Sequence, residues 1–116
     1  MKKLVSALVF GATCLGASTL ASAADVAKGE ALVKKYNCAS CHGADFNKPI
    51  DPSYPKLAGQ HAEYLTHSLH AYKRGAGANG RNNPIMSALA KPLSNQDMAD
   101  IGAYLSKLPS TLVVSK

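Results

Sequence analysis

Two cysteines three positions apart with a histidine directly behind them, Cys38-Ala39-Ser40-Cys41-His42, constrain this chain more than any other feature of its 116 residues. A disulfide across two intervening residues closes almost no loop and adds little stability. A redox dithiol wants a βαβ setting and usually a tryptophan lead-in, and the chain has no Trp and no strand-like alternation. A zinc site needs four ligands, typically a second cysteine pair, and only histidines spread along a helix would complete one here. The spacing matches covalent attachment of one c-type haem. Each thiol adds to one of the two vinyl groups of the macrocycle as a thioether, and His42 then sits under the iron and supplies an imidazole nitrogen. Once the haem is anchored, that ligand cannot be lost by simple dissociation.

The start of the chain sets the compartment. Met1-Lys2-Lys3 is followed by small and apolar residues from Leu4 to Leu20, then by Ala21-Ser22-Ala23-Ala24-Asp25. A charged start, an apolar middle and an A-x-A end predict a secretory signal peptide over 1–23, cut between Ala23 and Ala24. A retained anchor is the competing reading, but about 17 uncharged residues is at the short limit for a span. Gly11, Gly16 and the small-residue end favour cleavage. Cys14 lacks the leucine that a lipoprotein signal carries three positions upstream, so it is expected to leave with the signal. Export into an oxidising compartment, the periplasm, suits haem attachment outside the cytoplasm.

Removing Lys2 and Lys3 lowers 13 Lys+Arg to 11 against 7 Asp+Glu, a net charge of +4. Two ionised haem propionates bring this to about +2. The cations are scattered, with no run longer than two, which argues against nucleic acid as a partner. The mature chain of about 93 residues is poor in large side chains, with two Phe in the whole sequence, one of them in the leader. A core that small usually needs a staple, and a large flat apolar cofactor is one.

Along the rest of the chain the pattern is helical. Asp25 is a fitting N-cap for a first helix through Tyr36, with Val26, Gly29, Val33 and Tyr36 at helical spacing, and this helix is expected to run straight into Cys38. From Gly43 to Gly59, three prolines and several Asp and Asn residues predict a structured loop. A middle helix is expected from His61 to Lys73, broken by Gly75-Ala-Gly-Ala-Asn-Gly80. The last helix starts at Ser94, with Asp97 completing a capping box, and carries Met98, Ile101, Leu105 and Leu108 as one buried stripe before Pro109. The domain is therefore expected over 24–109 as all-α, followed by a loose tail over 110–116.

The sixth ligand of the iron must come from Met86, Met98, His61, His67 or His70. Met98 belongs to the core stripe, and the three histidines share a helix whose apolar face is Leu65, Leu69 and Tyr72, so they read as surface or rim. Met86 lies in an irregular Asn- and Pro-rich stretch, where a loop can present a thioether to the open haem face and Pro84 limits its freedom. His42 and Met86 are thus the expected metal ligands. His/Met ligation saturates the iron and raises its potential, which suits electron transfer.

Four stretches carry a wider resemblance: Cys-Ala-Ser-Cys-His-Gly-Ala-Asp (38–45), Tyr-Pro-Lys-Leu-Ala-Gly-Gln (54–60), Asn-Asn-Pro-Ile-Met (82–86) and Leu-Ser-Asn-Gln-Asp-Met-Ala-Asp-Ile-Gly-Ala-Tyr (93–104). With them the chain resembles a class I cytochrome c, and within that class one half of the di-haem cytochrome c4 type and its single-haem c-553/c-554 relatives. The resemblance implies the cytochrome c fold, three to five helices wrapped around one covalent haem c, the first and last crossing at Gly29 and Tyr104. It implies that Pro55 offers its carbonyl to the free nitrogen of His42, and that Leu57 packs on the haem. The c4 type has two haem motifs and this chain has one, so a stand-alone domain is expected, with pairing into a homodimer left open.

The expected function is a periplasmic one-electron carrier rather than an enzyme, with no membrane span after cleavage. Its partners are expected to be redox proteins that donate or accept electrons, such as a terminal oxidase or a membrane quinol-oxidising complex. The alternative is a haem-based sensor with an exchangeable sixth position; a module committed to one enzyme is a weaker third. Ala39, Ser40, Ile85, Ser87 and Ala88 are expected to form an uncharged rim at the haem edge.

Overall fold

Asp25 has extended backbone, and its carboxylate accepts a hydrogen bond from the Lys28 amide at 3.1 Å. This N-cap satisfies one of the orphan donors of α1, Val26–Lys35. The computed structural model describes Gly11 and residues 22–112. Most of the expected leader, Cys14 within it, and the last four residues of the expected tail fall outside that range. Four more helices follow: α2 Ala39–His42, α3 Ala62–Arg74, α4 Pro84–Ala90 and α5 Asn95–Ser106. Among the described residues there is no strand, and no helix is long and apolar enough to cross a membrane.

The helix ends follow local chemistry more than periodicity. α1 stops at Lys35, a residue short of the expected Tyr36, and does not run straight into Cys38. Asn37 takes a left-handed backbone (φ 53), the Cys38 amide bonds back to the Val33 carbonyl and the Asn37 amide to the Lys34 carbonyl. That is a Schellman corner, with asparagine tolerating the conformation that most residues avoid. The last helix also ends early, at Ser106 rather than against Pro109. Its expected capping box is present: the Ser94 hydroxyl accepts from the Asp97 amide at 3.0 Å, and Asp97 accepts from the Ser94 amide at 2.9 Å.

One expectation about backbone is overturned. Met86 does not lie in a loop; it is the third residue of α4. Asn83 caps that helix, accepting from the Met86 amide at 2.9 Å, and Pro84 takes the first helical position, where its missing N–H costs nothing. The Asn-Pro pair that looked irregular is a helix start.

The core lies between α1, α3 and α5, with α5 in the middle. Val33, Leu65, Met98, Ile101 and Leu105 are all buried there. α1 and α5 cross at Gly29, where a Cβ would come within 2.0 Å of the Asp100 carbonyl oxygen and 2.7 Å of Tyr104 Cβ, so only hydrogen fits. Asp100, 1 % exposed, accepts at Oδ1 from the Asp25 amide at 2.7 Å and from Gln96 at 2.9 Å, tying the start of α1 to α5.

The loop from Gly43 to Gly59 is ordered by its own bonds. The Phe46 carbonyl accepts from the amides of Leu57 and Ala58, and the Gly59 amide donates to the Leu105 carbonyl. Phe46 is buried despite a positive φ of 57, and the Asn47 side chain donates to the Pro109 carbonyl at 2.8 Å and accepts from the Thr111 amide at 3.0 Å. The loop thus grips α5 and the start of the tail. Pattern reading passed over Phe46 and Asn47 because a buried loop residue has no period to reveal it.

Candidate functional site

The Schellman corner turns the chain sharply after α1, and Cys38 then opens the single turn of α2, which carries Cys41 and His42. Gly43 ends that turn at φ 90, and a Cβ there would meet the Lys48 carbonyl oxygen at 2.2 Å. Only glycine allows the loop to fold back so closely behind His42. The Ile50 amide then donates to the Cys41 carbonyl at 3.0 Å, fixing the loop beside the motif.

His42 is 6 % exposed, and its Nδ1 lies 2.8 Å from the Pro55 carbonyl oxygen. A carbonyl only accepts, so Nδ1 carries the hydrogen in that bond. The bond also fixes the orientation of the ring, with Nε2 as the nitrogen left to bind a metal. The Tyr54 ring packs against it, tilted by 52° at 6.3 Å between centroids. Cys38 and Cys41 are half-buried thiols, and burial pushes the Cys38 thiol above its ordinary value.

All six expected site residues, Cys38, Cys41, His42, Pro55, Leu57 and Met86, line one cleft of about 730 Å³. That volume falls in the range of about 300–1,000 Å³ typical of cofactor sites. Its remaining walls are largely apolar, with Leu65 and Leu69 from α3, Leu89 from α4 and Ile101 and Leu105 from α5. Met98 is fully buried and does not reach the cleft, nor do His61, His67 or His70. Among the described residues no group of three or more His, Cys, Asp or Glu is placed to hold a metal ion, so the zinc alternative finds no ligand set. Two thiols, one prepared imidazole and one thioether around a deep apolar slot fit a haem. A buried hydroxyl on the wall, Ser68 Oγ, has no hydrogen-bond partner among the described residues, as expected where a polar edge of a cofactor belongs.

The expected rim needs correction. Ser40 and Ile85 line the cleft, but Ala39, Ser87 and Ala88 do not. Ala39 faces a separate shallow depression shared with Val33, Phe46 and Tyr104, because consecutive residues of the α2 turn point in different directions. Several wall residues were not singled out from sequence, Ser68 of α3 among them. Ser68 follows Tyr64 by four residues and precedes Tyr72 by four, a helical repeat that the apolar stripe of α3 overshadowed.

The comparisons with known proteins agree with this geometry. The family model described as Cytochrome c matches residues 26–109. Cytochrome c4 of Pseudomonas aeruginosa is 44 % identical over 107 residues, covering 91 % of this chain and 48 % of the relative. Cytochrome c-554(548) of Halomonas halodenitrificans is 43 % identical over 84 residues, covering 72 % of this chain and 96 % of the relative. The crystal structure of reduced recombinant cytochrome c4 from Pseudomonas stutzeri superposes with a TM-score of 0.67 at 37 % identity, covering 78 % of this chain and 48 % of that one. The chain therefore spans about half the length of the cytochromes c4 it matches and nearly all of the c-554(548) relative.

Proposed function

Because the chain belongs to the cytochrome c family, we propose that it is an exported one-electron carrier whose haem c would be attached at Cys38 and Cys41, with His42 and Met86 as the residues that would hold its iron. When bound, the haem supplies a one-electron iron couple. The observation that carries this reading is the convergence of Cys38, Cys41, His42 and Met86 on one cleft.

Each residue has a role on this reading. The two thiols fix the cofactor covalently, and the Pro55 carbonyl holds the His42 ring so that Nε2 is the donor atom. Met86 brings a soft thioether from the first turn of α4, where the Asn83 cap limits its movement. Leu57, Leu65 and Leu69 line the cleft with apolar surface that would keep water from a bound haem, and a dry site would favour the less charged ferrous state.

The leader-like pattern over 1–23 supports a periplasmic location, and the family-model match over 26–109 supports a cytochrome c domain over 24–109. Ile85, 49 % exposed at the cleft mouth, supports docking of another redox protein there, a terminal oxidase or a membrane quinol-oxidising complex among the candidates. The purified, haem-loaded protein is expected to give a low-spin c-type spectrum with a sulfur-to-iron band in the oxidised state. A high-spin spectrum that shifts freely with added ligands would instead establish the sensor alternative.

A further inference from the structure

Asp100 is the most deeply buried charged side chain among the described residues. It stands in the middle of α5, 1 % exposed, and α1 packs directly on its backbone at Gly29. Both of its described hydrogen bonds fall on Oδ1, from the Asp25 amide at 2.7 Å and from Gln96 Nε2 at 2.9 Å. Oδ2 has no partner among the described residues, and no cation pairs with this carboxylate there. The ion pair that is described joins Lys34 to Glu30, both on α1. A carboxylate taken out of water without an opposite charge is costly, and two bonds from neutral donors offset only part of that cost. The cleft makes no use of Asp100, which does not line it.

The segment that leads into α1 is seated on the same spot. Residues 22–25 are exposed and lie outside any helix. Gln96, which bonds to Asp100, also donates to the Ala23 carbonyl at 3.4 Å. One residue advances the chain by at most about 3.6 Å, so the Ala24 nitrogen lies within about 6 Å of Asp100 Oδ1. Hydrolysis of the bond between Ala23 and Ala24 changes the charge of that nitrogen. Water gives its hydroxyl to the Ala23 carbonyl carbon and a hydrogen to the Ala24 nitrogen as the C–N bond breaks. The new carboxyl loses a proton and the new amine takes one up. An ammonium then stands where an amide had been, and the Ala23 carboxylate departs with the leader.

We propose that the Ala24 ammonium freed by removal of the leader pairs with the buried carboxylate of Asp100, so that processing itself stabilises the crossing of α1 and α5. The pairing rests on the leader reading and is independent of the haem. Opposite charges at this range attract appreciably at a partly buried site. The neighbouring Asp25 carboxylate is exposed and committed to the α1 cap, so the uncompensated buried charge within reach is that of Asp100. Contacts alone predict the reverse effect, because removing the leader also takes the Ala23 carbonyl away from Gln96. The sign therefore separates a gained charge pair from a lost hydrogen bond.

The test is denaturant unfolding of haem-loaded protein in two lengths, one begun at Ala24 and one begun at Ser22 behind a different leader, each as wild type and as Asp100→Asn. The chain begun at Ala24 should have a folding equilibrium constant about five- to thirtyfold larger. Asp100→Asn should remove most of that difference. Equal stability of the two wild-type lengths, greater stability of the one begun at Ser22, or a difference that survives in Asp100→Asn would each overturn the pairing. Should Asp100→Asn fail to fold, Ala24→Gln decides, measured before and after its terminal glutamine is cyclised to pyroglutamate, which removes the charge without adding a residue. Loss of stability on cyclisation supports the pair, and unchanged stability overturns it. The intact mass of the exported protein separates the proposal from the reading beneath it. A first residue other than Ala24 overturns the cleavage site and the pairing with it, whereas equal stabilities overturn the pairing alone.

Discussion

Met98 has no exposed surface and stands in the core stripe of α5, whereas Met86 is half-buried on the cleft wall. Chemistry does not separate the two thioethers; position does. Met86→Ala is expected to leave the haem attached, abolish the sulfur-to-iron band, lower the potential and admit exogenous ligands. Met98→Leu should keep the band and cost less than about 1.5 kcal/mol in denaturant unfolding, because it exchanges side chains of similar volume. Loss of the band in Met98→Leu with its survival in Met86→Ala would reverse the ligand assignment. That Met98 is packing was legible from its place at i, i+3 and i+7 with Ile101 and Leu105. That Met86 sits on a helix was not read, although Asn83 and Pro84 carried the start signal.

At the scale of elements, short helices and one loop position the site, and each depends on its caps. α4 is only Pro84–Ala90, too short to persist without tertiary contacts, so its Asn83 cap matters more than in a long helix. Asn83→Ala should cost about 0.5–2 kcal/mol and loosen Met86, seen as faster binding of an exogenous ligand to the ferric haem. An unchanged ligand-binding rate would mean that packing, not the cap, holds the thioether in place. The loop after His42 has its own electrostatic tie. The Asn47 amide donates to the Asp45 carboxylate at 3.0 Å and holds its carboxyl below the ordinary 3.8. A carboxyl depressed in the folded state stabilises above its unfolded value, and that contribution fades as pH falls through the folded one. Asp45→Asn should therefore lower stability at neutral pH and flatten its acid limb below about pH 3.8, the two proteins converging at low pH, read by denaturant unfolding at a series of pH values.

For the molecule as a whole, the cleft is large relative to a small core, and the same leucines serve both. Leu65, Ile101 and Leu105 face the buried cluster and the cleft together. Removing the haem exposes that surface, so protein made without haem attachment, as in the double variant Cys38→Ala/Cys41→Ala, is expected to be largely unfolded at 25 °C by circular dichroism. A cooperative thermal transition in that variant would show that the helices hold without the cofactor. Docking also belongs to this scale. Ile85→Glu at the cleft mouth should slow electron transfer to a partner by more than Lys107→Glu, which lies outside the cleft on the C-cap of α5. Equal slowing would put the contact surface elsewhere.

From sequence alone came the haem attachment, the all-α class, the capped last helix, the Gly29 crossing implied by resemblance, and the residues of the candidate site. Apart from the Gly29 crossing, Pro55 and Leu57, which the resemblance supplied, these rest on local rules: a fixed thiol spacing and a cap followed by a stripe. What the tertiary structure alone decided is nonlocal. It turned an apparently straight entry to Cys38 into a corner at Asn37, and gave the Pro55–His42 contact, which only the resemblance had implied, its 2.8 Å distance across thirteen positions of chain. It buried Phe46 in a loop without periodicity, and pointed Ala39 away from a rim that its neighbour Ser40 does join. It laid Arg81 against two tyrosines and beside a hydroxyl that pairs with nothing else described. Local sequence fixes which conformations a segment prefers, but which distant groups share one cleft depends on how the helices pack, and no spacing along the chain encodes that.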